Sequence, residues 1–130
     1  MNKEYLLGND AIAYGLIEGG VQGVFAYPGT PSSEITEKLI TLSEKYGIYV
    51  EWSINEKVAY ENAYGVSLTG NRAVVIMKHV GLNVASDAFM TSAYTGVVGG
   101  LLIIVADDPY AHSSQNEQDS RRYAQFSKIP

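Results

Sequence analysis

Two hydrophobic patterns alternate along the chain. Within residues 8–20, Ile12, Leu16 and Ile17 recur at helical spacing, Asn9 stands where an N-cap belongs, and Gly19-Gly20 suits a helix stop. The short apolar run 23–27 then ends at Pro28-Gly29, which predicts a buried strand leading into a tight loop. A second helix is predicted after Thr30-Pro31-Ser32-Ser33, where Ile35, Leu39, Leu42 and Tyr46 share one face and Gly47 closes the segment. Strand two is expected at 48–52, and Asn55 can cap a third helix reaching about Leu68. Thr69-Gly70-Asn71 turns the chain into a third apolar strand at 73–77. A fourth helix is expected at 82–94, and Gly99-Gly100 leads into a fourth strand at 101–105 that Asp107-Asp108-Pro109 stops. The remainder reads as polar loop.

Continuous apolar strands alternating with amphipathic helices predict a three-layer α/β/α fold with a mainly parallel sheet, because each crossover lays a helix on a sheet face. In such sheets ligands bind beyond the carboxyl ends of the strands. The loops at 27–33, 53–56 and 78–83, together with the tail after Asp107, are therefore expected to share one edge.

Composition narrows the class. A length of 130 residues suits one domain, and 46% hydrophobic with 18% charged residues is ordinary for a globular protein. The net charge is -5 and the basic residues are scattered, which disfavours nucleic-acid binding. The chain has no cysteine, hence no disulfide framework and no thiolate metal site. It also lacks the apolar run of a signal peptide, and its longest apolar stretch falls well short of the roughly 20 residues that span a bilayer. A cytoplasmic protein away from the membrane is expected. No G-x-G-x-x-G follows the first strand, and no P-loop or G-x-S-x-G elbow occurs; His79 and His112 lack metal-ligand spacing.

The loops hold the candidate chemistry. The segment from Tyr27 and Pro28 through Thr30, Pro31 and Ser32 places hydroxyls and backbone N–H groups at a helix start, which suits an anion, yet Thr30 capping the helix with Pro31 in its first turn needs no ligand. Glu56 opens the third helix, where the helix dipole alone favours a carboxylate by about 0.3–1 kcal/mol; its position at the ligand edge argues for more. His79 can relay protons or can be a satisfied structural histidine. Asp107-Asp108-Pro109 fits a capped turn, and Arg121-Arg122 fits either a solvated pair or a carboxylate clamp.

Taken together, YPGTPSSE, EWSINEKVAYENAYGVSLTG, MKHVGLNVASD and the DDP turn with HSSQNEQDSRRYAQFSKIP resemble the amino-terminal, pyrimidine-binding domain of the alpha subunits of indolepyruvate ferredoxin oxidoreductases, thiamine diphosphate-dependent 2-oxoacid oxidoreductases. The resemblance covers essentially the whole chain. It implies that Glu56 hydrogen-bonds the cofactor's aminopyrimidine ring and so activates the cofactor, a task that suits a carboxyl group in a partly dry site. Glu61, five residues on, points elsewhere around the helix. By the same resemblance, Tyr27, Pro28, Gly81 and Asn83 lie beside the cofactor, Thr30, Pro31, Ser32 and Arg121 face the substrate, and His79 joins Glu56 in catalysis. The implied reaction is oxidative decarboxylation of an arylpyruvate to aryl-acetyl-CoA, with electrons passing through 4Fe-4S clusters to ferredoxin. Such subunits continue into further domains, so the chain is expected to be a fragment, inactive alone. The diphosphate and Mg2+ site, the iron-sulfur clusters and the coenzyme A contacts would then lie on the rest of the alpha subunit or on a beta subunit, and a homodimer is expected. A subunit of a non-oxidative decarboxylase of the sulfopyruvate type and a non-catalytic dimerisation module are the alternatives.

Overall fold

A computed structural model describes residues 4–129. Helix α1 (Gly8–Glu18) precedes strand β1 (Gly23–Ala26), helix α2 (Ser33–Tyr46) and strand β2 (Tyr49–Trp52). Helix α3 (Glu56–Leu68), strand β3 (Ala73–Lys78), helix α4 (His79–Thr95) and strand β4 (Leu101–Ala106) follow, then a 3-10 turn (Pro109–Ala111) and helix α5 (Arg121–Ser127). The strands form one sheet in the order β2-β1-β3-β4, every pairing parallel. The expected three-layer α/β arrangement is therefore the observed one.

Strand alternation sorts the core into two halves. Val24, Ala26, Val74 and Ile76 point to the side covered by α1 and α2 through Ala13, Leu16, Ile35 and Leu39. Phe25, Ala73, Val75 and Met77 point to the side covered by α3 and α4 through Ala59, Tyr60, Ala63, Leu82, Ala85 and Phe89. Central β1 and β3 are buried throughout, which is why they read as unbroken apolar runs, whereas the edge strands β2 and β4 are partly exposed.

Several local expectations needed correction. Asn9 is not a cap: α1 starts at Gly8, after Leu7, and the Asn9 amide instead donates to the Pro31 carbonyl at 3.1 Å, tying α1 to the loop ahead of α2. Thr30 does not cap α2 either, since Ser32 holds the cap position and Pro31 lies before the helix, after a cis peptide bond. Helix α4 begins at His79 rather than Leu82, directly from the end of β3. The tail is not all loop, for α5 places Tyr123 edge-on against Phe89 with ring centroids 5.9 Å apart. As expected, Gly47 closes α2 in the left-handed region at φ 66°, and the Asn55 side-chain Oδ1 accepts from the Val58 N–H at 2.9 Å to start α3.

Two glycines with opposite surroundings give a stability test. A Cβ on Gly99 would overlap the carbonyl of Asn71, whereas one on Gly15, inside α1, would meet nothing within 4 Å. Gly99→Ala should lower stability by about 1–3 kcal/mol through overpacking, and Gly15→Ala should raise it by about 0.5–1 kcal/mol through helix propensity. Urea unfolding of both variants checks the pair; a Gly99→Ala midpoint at or above wild type would contradict the packing.

Candidate functional site

The carboxyl ends of the strands bring the expected loops together. The Ser53 N–H donates to the Ala26 carbonyl at 2.8 Å, which draws the end of β2 against the end of β1. From there Ile54 turns outward, Asn55 caps α3, and Glu56 enters its first turn with only 9% of its surface exposed. Across from it lies Gly81 in the first turn of α4, where a Cβ would fall 2.6 Å from Glu56 Cγ and 2.8 Å from Oε1. No side chain of the described residues hydrogen-bonds or ion-pairs with the Glu56 carboxylate. Its oxygens are not among the fully buried, unpartnered side-chain atoms, so the carboxylate keeps contact with solvent and is open to another group. Glu61, by contrast, is 54% exposed at its side chain and pairs with Lys57 at 3.9 Å.

A second close approach joins the loop after β1 to the end of β3. A Cβ on Gly29 would lie 2.8 Å from Lys78 Cδ, so the glycine lets the lysine stem cross the loop. The hydroxyls of that loop serve its own turn: Ser32 Oγ donates to the Gly29 carbonyl at 2.7 Å, and Ser33 Oγ accepts from the Gly29 N–H at 2.8 Å. Ser32 is thereby buried, while Tyr27, Pro28 and Thr30 are exposed and Pro31 is half-buried.

The tail closes over this edge. Lys78 Nζ donates to the Ser113 carbonyl at 2.9 Å, and His79 Nε2 lies 2.9 Å from the Asn116 carbonyl. A carbonyl only accepts, so Nε2 carries a hydrogen; Nδ1 is buried and has no partner among the described residues. Gln118 Nε2 donates to the His79 carbonyl at 3.1 Å, Asn83 Nδ2 donates to Gln118 Oε1 at 2.9 Å, and the Tyr123 hydroxyl donates to Asn83 Oδ1 at 2.8 Å. Asp108 Oδ2 accepts from the Ser113 N–H at 2.8 Å and the Ser114 hydroxyl at 2.7 Å, and Asp107 Oδ2 accepts from the Ser120 N–H at 3.0 Å.

The structure thus gathers Glu56, Gly81, His79, Asn83 and the 27–32 loop at one edge. Arg121 sits apart from Glu56's neighbours, on the outer face of the tail, where its guanidinium grips Asp119 with Nε–Oδ1 2.7 Å and Nη2–Oδ2 2.9 Å. His112 is exposed and rests edge-on against Tyr110. The sequence places Lys78 and the tail at this edge but not the individual contacts of Lys78, Ser113, Asn116 and Gln118, since nothing in their local pattern marks bonds that cross the fold. Among the described residues no cluster of metal-ligating side chains is found, and no helix is long and apolar enough to cross a membrane.

The fold is that of a 2-oxoacid:ferredoxin oxidoreductase domain: it superposes on the 2-oxoglutarate:ferredoxin oxidoreductase of Magnetococcus marinus, solved with 2-oxoglutarate, coenzyme A and succinyl-CoA, with TM-score 0.72 and 24% identity over 80% of this chain and 18% of that one. No family model matches the chain. Three curated relatives carry the name indolepyruvate oxidoreductase subunit IorA: from Pyrococcus horikoshii (56% identical over 128 residues), Thermococcus kodakarensis (54% over 125) and Archaeoglobus fulgidus (54% over 132). They match 98%, 96% and 98% of this chain, which spans 20%, 19% and 21% of their own lengths. Over nearly its whole length the chain is similar to a fifth of these indolepyruvate oxidoreductase subunits.

Two outcomes test the site's geometry. Asp108 is held down to about 2 from an ordinary 3.8, first by the Ser113 N–H, then by the Ser114 hydroxyl, with the Ser113 hydroxyl and the Lys78 charge adding to this. Its ionised form therefore favours the folded loop fully above the ordinary value, and that contribution is lost as pH falls through about 2. A carboxyl-carbon NMR titration should place its midpoint there, and a midpoint at 3.8 would mean that these bonds do not form. For Gly81→Ala, the methyl meets the flexible Glu56 side chain, so a crystal structure should show the carboxylate displaced while the urea midpoint stays near wild type.

Proposed function

We propose that this chain forms the cofactor-facing edge of a thiamine diphosphate-dependent oxidoreductase that oxidatively decarboxylates arylpyruvates, indolepyruvate among them, to aryl-acetyl-CoA with reduction of ferredoxin. The observation that carries the reading is Glu56, a residue 9% exposed whose carboxylate has no hydrogen bond among the described residues and faces the glycine at the start of α4. The relatives' name and the shared fold support the reaction class.

The residues fit the cofactor's aminopyrimidine ring. Glu56 supplies a buried carboxyl group able to share a proton with a ring nitrogen, and the missing side chain at Gly81 leaves the approach to it unobstructed. In this reading Tyr27 and Pro28 in the loop after β1 and Asn83 in the second turn of α4 flank the ring, and Thr30 and Pro31 face the substrate. Thiamine diphosphate, when bound, supplies a carbon nucleophile and an electron sink for decarboxylation. The protein's own part is to hold a proton at Glu56, to keep water from that carboxylate and to fix the ring's orientation. Ser32 and Arg121 enter this reading only indirectly, because the Ser32 hydroxyl is engaged by Gly29 and the Arg121 guanidinium by Asp119. The diphosphate and Mg2+ site, the 4Fe-4S clusters, the coenzyme A contacts, the beta subunit and ferredoxin belong in this proposal to polypeptide outside the chain, working as a dimer in the cytoplasm.

The test is arylpyruvate- and coenzyme A-dependent viologen reduction by the complete enzyme complex. Glu56→Gln, which keeps the shape but not the acid, should lose about a hundredfold or more in kcat, the scale of a positioned acid or base. Undiminished activity would remove Glu56 from the chemistry, and a preference for pyruvate over arylpyruvates would overturn the substrate class.

A further inference from the structure

Helix α4 begins without a side-chain cap, because Lys78 stands at its cap position and extends away to Ser113. Something else must fix its first turn, where Gly81 abuts Glu56. Residues 108–120 do so. The strap is clamped at both ends by the adjacent aspartates that follow β4, Asp108 accepting from Ser113 and Ser114 and Asp107 accepting from Ser120. Between the clamps, His79 and Asn83 reach the Asn116 carbonyl and Gln118, and Gln118 returns a bond to the His79 carbonyl. The bonds grip the turn on both sides of Gly81.

We propose that this strap is a positioning device for the Glu56 site, and that His79 acts as its anchor rather than as a proton donor or acceptor in the reaction. The anchoring rests on the fully buried ring, whose one N–H is engaged by the Asn116 carbonyl and whose other nitrogen has no partner. To give up its Nε2 proton the ring would have to release the strap, and an N–H at Nδ1 would find no acceptor among the described residues. The strap holds the first turn of α4 at the distance from Glu56 that a glycine at 81 permits. Loosening it lets that turn move and opens the carboxylate to water. The proposal depends on the cofactor reading of Glu56 for its functional consequence, but the positioning itself can be measured without it.

The experiment uses the complete enzyme complex and three variants, His79→Gln, His79→Leu and Gln118→Ala, read by amide hydrogen exchange at residues 80–83, by calorimetric titration with thiamine diphosphate and by the pH profile of kcat. Glutamine keeps an N–H donor for the Asn116 carbonyl but cannot take part in proton transfer near neutral pH. It should preserve exchange protection, cofactor affinity within about threefold and an unchanged pH profile. Leucine should speed exchange at least tenfold and weaken the cofactor about tenfold or more. Gln118→Ala, a half-buried position that does not endanger folding, should shift both readouts in the same direction by about threefold. Unchanged exchange in both His79→Leu and Gln118→Ala overturns the strap. A glutamine variant with normal exchange, lost turnover and a lost limb in its pH profile overturns the anchor role and returns His79 to the chemistry. Altered exchange with unaltered cofactor affinity in all variants would leave the strap in place but refute its link to Glu56, and an active Glu56→Gln enzyme would fail the cofactor reading separately.

Discussion

The close approach of two helix starts is the constraint around which this molecule is arranged. Helix α3 presents Glu56 in its first turn, helix α4 presents Gly81 in its own, and a side chain of any size at 81 would occupy the space the carboxylate now holds. The meeting follows from the sheet. Because β2 and β3 run parallel on either side of β1, the helices that follow them start at the same edge. Both also lie on the same sheet face, where Ala59, Ala63 and Ala85 are small enough for the two helices to pack closely. The glycine and the alanines thus serve one geometry at different depths.

Burial then decides which polar groups carry chemistry and which carry architecture. Several polar side chains are sheltered from water and satisfied within the fold: Ser32 by Gly29 and Lys78 by Ser113 at this edge, and Tyr60 by Ser92 at 2.6 Å deeper between α3 and α4. Glu56 differs because its carboxylate finds no such partner. A largely sheltered carboxylate that the fold leaves free to meet another group is where function is to be sought. Three buried side-chain atoms have no partner among the described residues: Thr36 Oγ1, and Nδ1 of His79 and Oδ1 of Asp107, which belong to residues whose remaining polar atoms hold the tail in place. The cost of the latter two is offset by the order these residues impose on residues 108–120.

Local rules made the alternation of strands and helices, the parallel sheet and the convergence of the loops legible in the sequence. Apolar periodicity acts over one or two turns, and Asn55 capping α3 or Gly47 ending α2 are matters of neighbouring residues. The same locality explains the failures. Asn9 has the composition of a cap, yet a carbonyl in a distant loop competes for its amide and wins. The start of α4 went unrecognised until Leu82 because Lys78, His79 and Val80 show no helical pattern of their own. Helix α5 has only 7 residues, too few to be stable in isolation, and exists because Tyr123 packs on Phe89 and reaches Asn83.

What the sequence determined by itself was therefore the set of elements, their order and the position of Glu56 at a capped helix start on the ligand edge, all of it written in spacing and caps. Tertiary structure alone decided that Glu56 meets Gly81, that His79 spends its N–H on a residue 37 positions away, that the Ser32 hydroxyl turns inward and that Arg121 faces Asp119. Such contacts join segments brought together only when the hydrophobic faces of the sheet and helices are buried. No spacing rule along the chain encodes them, because their geometry belongs to the packed layers and not to any one segment.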